Sequence, residues 1–338
     1  MSRAGPPAAD FAAAAMQRVI VHGARRLGLA LPALPPPRPA GAHVPLADKR
    51  ALLDALAAAQ GPLAVLRLGE GAHDLHDDPA AEALAAAQDL PDLVGRWQRL
   101  ERYVHARHRV QVLSAATGAL ALRHVALAPH PPPKPDEDLL VLGLLVALAA
   151  RIGVPGLAAR CGPWCWTEGR WCGVGDGADA TPEAAPTAHW VLTWQPGPAP
   201  PPPPVPADGP ALLQRLHDAV GHDLAGRWTL QALARAAGCG PRSLQRRLAQ
   251  TGTTPAALVA AQRVAAAARL LVHSAEPVAA VGYVCGFADQ PHFTRSFKRL
   301  SALTPARYRA EFGVAAPDTG AKGRRAPDLS APAAASRR

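Results

Sequence analysis

The sequence predicts a two-domain protein, an α+β N-terminal domain followed by an all-α C-terminal domain. Three observations carry that expectation. The stretch PGPAPPPPPVPADGP at 196–210 must be extended and semi-rigid with a solvated backbone, which suits a linker. Charge changes across it: residues 1–210 carry a net −1, residues 211–313 a net +8 and residues 314–338 a net +3 of the chain's +10. Periodicity changes too, from short alternating runs to helical spacing in a segment rich in alanine, leucine and arginine. The expected division is therefore 1–195, a linker at 196–210, a helical domain at 211–313 and a disordered tail at 314–338. At 338 residues and 49% apolar content, both domains can build cores.

Proline-rich breaks at 31–39 and 130–135 subdivide the first domain. DKRALLDALAAAQ (48–60) and GRWQRLERYVHARH (95–108) have helical spacing, the second with a stripe of Trp97, Leu100 and Val104. RVQVL (109–113) and ALALRHV (119–125) read as a hairpin around Thr117-Gly118, and HWVLTWQ (189–195) as another strand. LLVLGLLVALAA (139–150), lying between Asp138 and Arg151, is too short for a membrane span and reads as a buried helix packed on a small sheet.

The second domain contains the pattern that bears on function. Leu230, Leu233 and Ala237 make the apolar stripe of one helix, with Thr229 as N-cap. Gly238-Cys239-Gly240 breaks it, and Pro241 opens a second helix. There Leu244 and Leu248 face inward, while Arg242, Gln245 and Arg246 gather on the opposite side. The layout recurs about 50 residues on. Val278, Val281 and Cys285 form the stripe, Gly286 the break, and Phe293 and Phe297 replace Leu244 and Leu248. The expected architecture is two helix-turn-helix units joined by a long helix at roughly 255–272.

The double pattern resembles the AraC/XylS family of bacterial transcription regulators over roughly 211–312. The residues that carry it are Pro241-Arg242-Ser243-Leu244-Gln245-Arg246-Arg247, Gly286-Phe287-Ala288-Asp289-Gln290, His292-Phe293-Thr294-Arg295-Ser296-Phe297-Lys298 and Thr304-Pro305-Ala306-Arg307-Tyr308-Arg309. The resemblance implies that each second helix enters a major groove of double-stranded promoter DNA. Base contacts then fall on Arg242, Gln245, Arg246, Gln290, Pro291, His292, Thr294 and Arg295, and phosphate contacts on Arg247, Lys298 and Arg299. Arginine can grip guanine and glutamine adenine in bidentate fashion, each pair being worth about 1–3 kcal/mol of discrimination; phosphate contacts position the protein without reading sequence. Pro291, Leu248 and Ala302 depart from the family's commoner Ser, Phe and Gly, and Ala302 implies a strained turn. The N-terminal region looks like the effector-type domain of a subset of the family, labelled arabinose-binding-like, and lacks the pattern of the sugar-binding cupin barrel.

The expected role is an effector-responsive activator that is cytoplasmic, contacts RNA polymerase, binds an unidentified small molecule and can form a homodimer, with no membrane, cofactor or catalytic role. The competing readings are an enzymatic first domain and a ligand-independent architectural DNA binder. Asp10 and Arg18 interrupt the first apolar stretch, so it does not read as a signal peptide, and five cysteines do not suggest a disulfide framework. Cys161, Cys165 and Cys172 with His189 have zinc-ligating atoms but no common finger spacing, so buried or idle thiols are expected. Arg96, Arg99, Arg102 and Arg107 could bind an anion but read first as a solvated face, and His105, His108 and His124 lack a nucleophile motif beside them.

Overall fold

The computed structural model describes residues 11–30, 43–75, 78–104, 107–173, 186–197 and 211–313. The break at 31–39, linker residues 198–210, the tail at 314–338 and His105 lie outside the described residues. The chain opens with β1 (Phe11–Ala13) and α1 (Ala14–Arg26), then β2 (His43–Pro45), antiparallel to β1. α2 (Leu46–Leu68) breaks at Gly61-Pro62, where proline cannot continue the hydrogen-bond ladder, and runs on into a 3-10 turn at Gly69–Asp74. α3 (Pro79–Ala85) starts where Asp78 accepts the Ala80 amide at 2.8 Å with Pro79 in the first turn.

α4 (Leu90–Val104) ends earlier than the sequence spacing predicts, because His108 already pairs with Ala126 in the sheet. β3 (His108–Ala116) and β4 (Ala119–Ala126) form the expected hairpin, longer than the alternating runs alone indicate. α5 (Pro135–Arg151) is the buried helix. Its polar residues sit at its ends, with acids in the first turn and Arg151 in the last, in keeping with the helix dipole. Gly143 is required there: a Cβ would fall 1.9 Å from the Leu66 carbonyl oxygen of α2.

Three strands follow that the sequence reading did not assign: β5 (Ala158–Cys161), β6 (Trp164–Thr167) and β7 (Arg170–Gly173). Their tryptophans alternate with polar or half-exposed residues, but over only four residues each, too few for the period to stand out. With β8 (His189–Thr193) they complete an antiparallel sheet of order β3-β4-β8-β5-β6-β7. α5 is tied to this sheet through Asp138, which bonds His124 Nδ1 at 2.8 Å and accepts the Thr187 hydroxyl at 2.7 Å. Burial alone would raise the neighbouring Glu137, but Lys49 and Arg50 hold its carboxylate well below the usual range.

The C-terminal region is helical throughout its described length: α6 (Ala211–His222), α7 (Leu230–Ala236), α8 (Pro241–Gln250), α9 (Pro255–His273), α10 (Val278–Val284), α11 (Gln290–Ser301) and α12 (Pro305–Phe312). Among the described residues, two segments, Leu46–Asp74 and Pro255–His273, are long and apolar enough to cross a bilayer; α9 instead buries Val264, Ala265, Ala268 and Leu271 in the protein core.

Two cores divide the helices unevenly. One joins α6, α7 and α8 to the start of α9 through Leu216, Val220, Leu233, Leu244, Leu248 and Leu258. The other runs from the end of α9 through Val281, Phe293, Phe297 and Tyr308, and is continuous with the core of the N-terminal region. α3 and α4 make that junction. The Tyr308 hydroxyl donates to the Pro79 carbonyl at 2.7 Å, Arg96 Nη1 donates to the Ala83 and Phe312 carbonyls at 3.1 and 2.9 Å, and Arg269 pairs with Glu82 at 2.6 Å.

Candidate nucleic-acid interface

The two helix pairs present similar outer faces. In the first, Thr229 caps α7 through the Ala232 amide at 3.1 Å, and Gly238 (φ +66°) turns the chain toward α8. Leu244 and Leu248 are fully buried, so the helix is anchored along one ridge, and Arg242, Gln245, Arg246 and Arg247 are exposed along the other. In the second, Asp289 caps α11 by accepting the His292 amide at 2.6 Å, and Pro291 occupies the first turn, where no backbone donor is needed.

Phe293 and Phe297 are fully buried, each worth about 1.5–3 kcal/mol by burial. They begin a ladder of edge-to-face rings: Phe293–Phe297 at 5.6 Å, Phe297–Tyr308 at 5.1 Å and Tyr308–Phe312 at 5.1 Å between centroids. The structure leaves Gln290, Pro291, His292, Arg295, Lys298 and Arg299 exposed and Thr294 half-buried. His292 also stacks edge-on against Phe287, with centroids 5.5 Å apart, which fixes its ring near the start of α11.

Two sets of basic residues stand out in the C-terminal region. Arg263 donates to the Leu224 and Gly226 carbonyls at 2.8 and 3.0 Å, Arg309 to Leu271 at 3.3 Å, and Arg269 and Arg307 pair with Glu82 and Glu311. These cations hold the fold. Arg242, Arg246, Arg247, Arg295, Lys298 and Arg299 are exposed, and among the described residues none of them enters an ion pair. The two exposed helix faces therefore carry uncompensated positive charge on rigid supports, an arrangement suited to a polyanion.

Two turns show how closely the backbone constrains these supports. Gly286 has φ +80°, and a Cβ there would lie 2.2 Å from the Leu224 carbonyl oxygen. Ala302, after α11, adopts the left-handed conformation with φ +63°, so the strain expected of an alanine at this turn is present.

Elsewhere the structure corrects the sequence reading. Arg96 does not belong to a solvated cationic face: it is buried against Asp92, Ala83 and Phe312. Its spacing with Arg99 and Arg102 resembled a solvated stripe because the partner, Phe312, lies 216 residues away in sequence. Cys165 and Cys172 face each other across β6 and β7, while the Cys161 thiol donates to the Thr187 carbonyl. Burial pushes the Cys161 thiol up to about 12, so it stays protonated. Among the described residues no group of three or more His, Cys, Asp or Glu side chains is placed to hold a metal ion. Sequence reasoning also passed over α3, although Asp78-Pro79 is a cap followed by a first-turn proline.

The family described as "Helix-turn-helix domain" matches residues 233–311. Among curated proteins, the HTH-type transcriptional regulator VirS of Mycobacterium tuberculosis is 35% identical over 89 residues, covering 26% of this chain and 26% of VirS. The HTH-type transcriptional activator RhaR of Salmonella typhi is 32% identical over 99 residues, covering 29% of this chain and 35% of RhaR. The matched stretches thus span only about a quarter to a third of these relatives. Of solved structures, the DNA-binding domain of AdpA in complex with a target DNA is 31% identical over 29% of this chain and 90% of that chain, with a TM-score of 0.27. Transcriptional regulator CdpR from Pseudomonas aeruginosa covers 88% of this chain and 98% of its own at 16% identity, with a TM-score of 0.31.

Proposed function

From a C-terminal region that carries an AraC-type helix-turn-helix domain, we propose that this protein is a sequence-specific DNA-binding transcription regulator. The observation that carries the reading is the repeated support: two helices, α8 and α11, each fastened by a buried apolar ridge and each exposing unpaired cations. We read α7/α8 and α10/α11 as two helix-turn-helix units joined by α9, with α8 and α11 entering successive major grooves. Arg242, Gln245, Arg246, Gln290, Pro291, His292, Thr294 and Arg295 are the base-facing set. Arg247, Lys298 and Arg299 meet phosphates. Residues 1–195 form the effector-binding or self-association domain, 196–210 the linker and 211–313 the DNA-binding domain. The protein then acts as an effector-responsive activator at promoters, in contact with RNA polymerase. The named activity of RhaR as an activator supports that direction.

The test is in vitro selection of duplexes by the full chain, followed by titration of the selected duplex and of random DNA. Arg295→Ala is expected to lose about 1–3 kcal/mol on the selected duplex and little on random DNA. Failure to enrich any sequence overturns the regulator reading, and equal losses on both DNAs reduce Arg295 to a phosphate contact.

A further inference from the structure

The six-stranded sheet ends in the β6–β7 hairpin, whose register is fixed by a two-residue turn. Glu168 and Gly169 both have positive φ, 52° and 77°, the backbone that matches the twist of a tight hairpin. Thr167 then pairs with Arg170, Trp166 with Trp171, and Cys165 with Cys172. Successive side chains on a strand leave by opposite faces. Trp164, Trp166 and Trp171 take the inner face and are buried, with Trp166 and Trp171 meeting edge-to-face at 5.5 Å. The two cysteines take the outer face and are half-exposed.

Cys165 and Cys172 are free thiols with sulfurs 2.7 Å apart, and the Cys172 thiol also reaches the Cys165 carbonyl at 3.5 Å. Directly opposed residues of antiparallel strands have Cα atoms about 4.5–5.5 Å apart, inside the roughly 4.4–6.8 Å that a disulfide spans. A bond between these two sulfurs therefore needs no change of register. The other three cysteines differ: Cys161 and Cys285 are buried, and Cys239 lies in the turn between α7 and α8. Among the described residues, no third His, Cys, Asp or Glu joins the pair as a metal ligand.

We propose that Cys165 and Cys172 form a redox-active dithiol, a modification site that closes to an intramolecular disulfide by exchange with a low-molecular-weight disulfide such as oxidised glutathione. One cysteine thiolate attacks a glutathione sulfur: a cysteine–glutathione S–S bond forms, the glutathione S–S bond breaks, and one glutathione thiolate leaves. The second cysteine, having lost its proton to solvent, attacks the cysteine sulfur of this mixed disulfide and expels the second glutathione. Two protein thiols are oxidised and one disulfide is reduced to two thiols, which take up the two protons released. The first step is bimolecular. The second joins sulfurs that the sheet already holds together, so the mixed disulfide is short-lived. Hydrogen bonding to Cys172, and then burial, raise the Cys165 thiol above its ordinary value, while Arg160, its neighbour on β5, opposes them. The resting pair is therefore two thiols, distinguished by the speed of closure rather than of the first attack. This assignment goes beyond the DNA-binding reading and does not rest on it.

The test uses the full chain, reduced and freed of reductant, then exposed to oxidised glutathione and quenched with N-ethylmaleimide. Trypsin cuts after Arg170, between the two cysteines, so the disulfide joins two peptides that are otherwise separate in mass spectrometry. The linked peptides are expected to exceed glutathione adducts at Cys165 and Cys172 by about tenfold or more. Cys165→Ser and Cys172→Ser should each lose the link and accumulate the adduct on the remaining cysteine, with circular dichroism reporting the fold. Cys161 shares a tryptic peptide with Cys165, so Cys161→Ser is the control and is expected to keep the link. Adducts on the wild type without the link, thiols that all remain open to alkylation, or a link that survives Cys165→Ser overturns the pair. If a variant fails to fold, the wild-type ratio of link to adduct decides by itself.

Discussion

Replacing Tyr308 by Phe removes a single oxygen at the junction between the N-terminal region and the second helix pair. Tyr308 is 1% exposed, its ring is held between Phe297 and Phe312, and its hydroxyl donates to the Pro79 carbonyl at 2.7 Å. Burial raises its pKa well above the ordinary value, so the hydroxyl remains a donor throughout any accessible pH range. Phenylalanine preserves the ring contacts, so the loss is confined to the hydrogen bond and to the desolvated carbonyl left behind. The bond is worth about 1 kcal/mol, and the total reaches up to about 3 kcal/mol once the carbonyl's lost partner is counted. In a chain of this size, each kcal/mol corresponds to a midpoint shift of about 1–2 °C. Urea unfolding followed by circular dichroism measures the difference. Tyr283→Phe is the control, since Tyr283 is 79% exposed and on α10, and its change should stay within about 0.5 kcal/mol. If the two variants are equally stable, the Tyr308–Pro79 contact contributes nothing and the α3 junction is not held as described.

Ala302→Gly relieves a left-handed residue and is expected to stabilise by about 0.5–1 kcal/mol in thermal unfolding, after the entropy cost of glycine; a less stable variant contradicts the strain. Gly286→Ala combines φ +80° with a Cβ only 2.2 Å from the Leu224 oxygen and is expected to cost at least about 2 kcal/mol in urea unfolding, where a neutral outcome refutes the close approach. Glu101→Gln tests the buried carboxyl. Desolvation raises Glu101 from 4.5 to about 7, so its contribution to stability is full below about pH 4.5 and is lost as pH rises through about 7. Glutamine cannot ionise, so between pH 4 and pH 8 the variant should gain on the wild type by on the order of 3 kcal/mol. His108, lowered by desolvation to about 4, has the opposite pH dependence but is common to both proteins and cancels. Parallel stability curves would show that Glu101 is not held in a dry site.

Much of the C-terminal interface was legible because its determinants are local. The cap at Thr229, the first-turn proline at 241, the Gly286 turn and the ridges Leu244/Leu248 and Phe293/Phe297 all act within a few residues. A period of three to four residues turns such a ridge into a statement about which residues face outward. Parts of α2, α4 and α5 and the β3–β4 hairpin were visible for the same reason. The β5–β7 strands were not, because four-residue strands carry too little periodicity, and the segment's cysteines and tryptophans suggested other chemistry.

The sequence by itself determined the helical domain, its repeated pair of anchored cationic helices and the exposed side chains they offer to a polyanion, since each follows from helix period, capping and burial of one face. Only the tertiary structure decided that Arg96 is a buried brace, that Tyr308 grips Pro79, and that α3 joins the N-terminal region to the support of α11. Those facts depend on partners 216 and 229 residues apart. A contact at such separation leaves no period in the chain; it comes into being when buried apolar faces bring the two segments together.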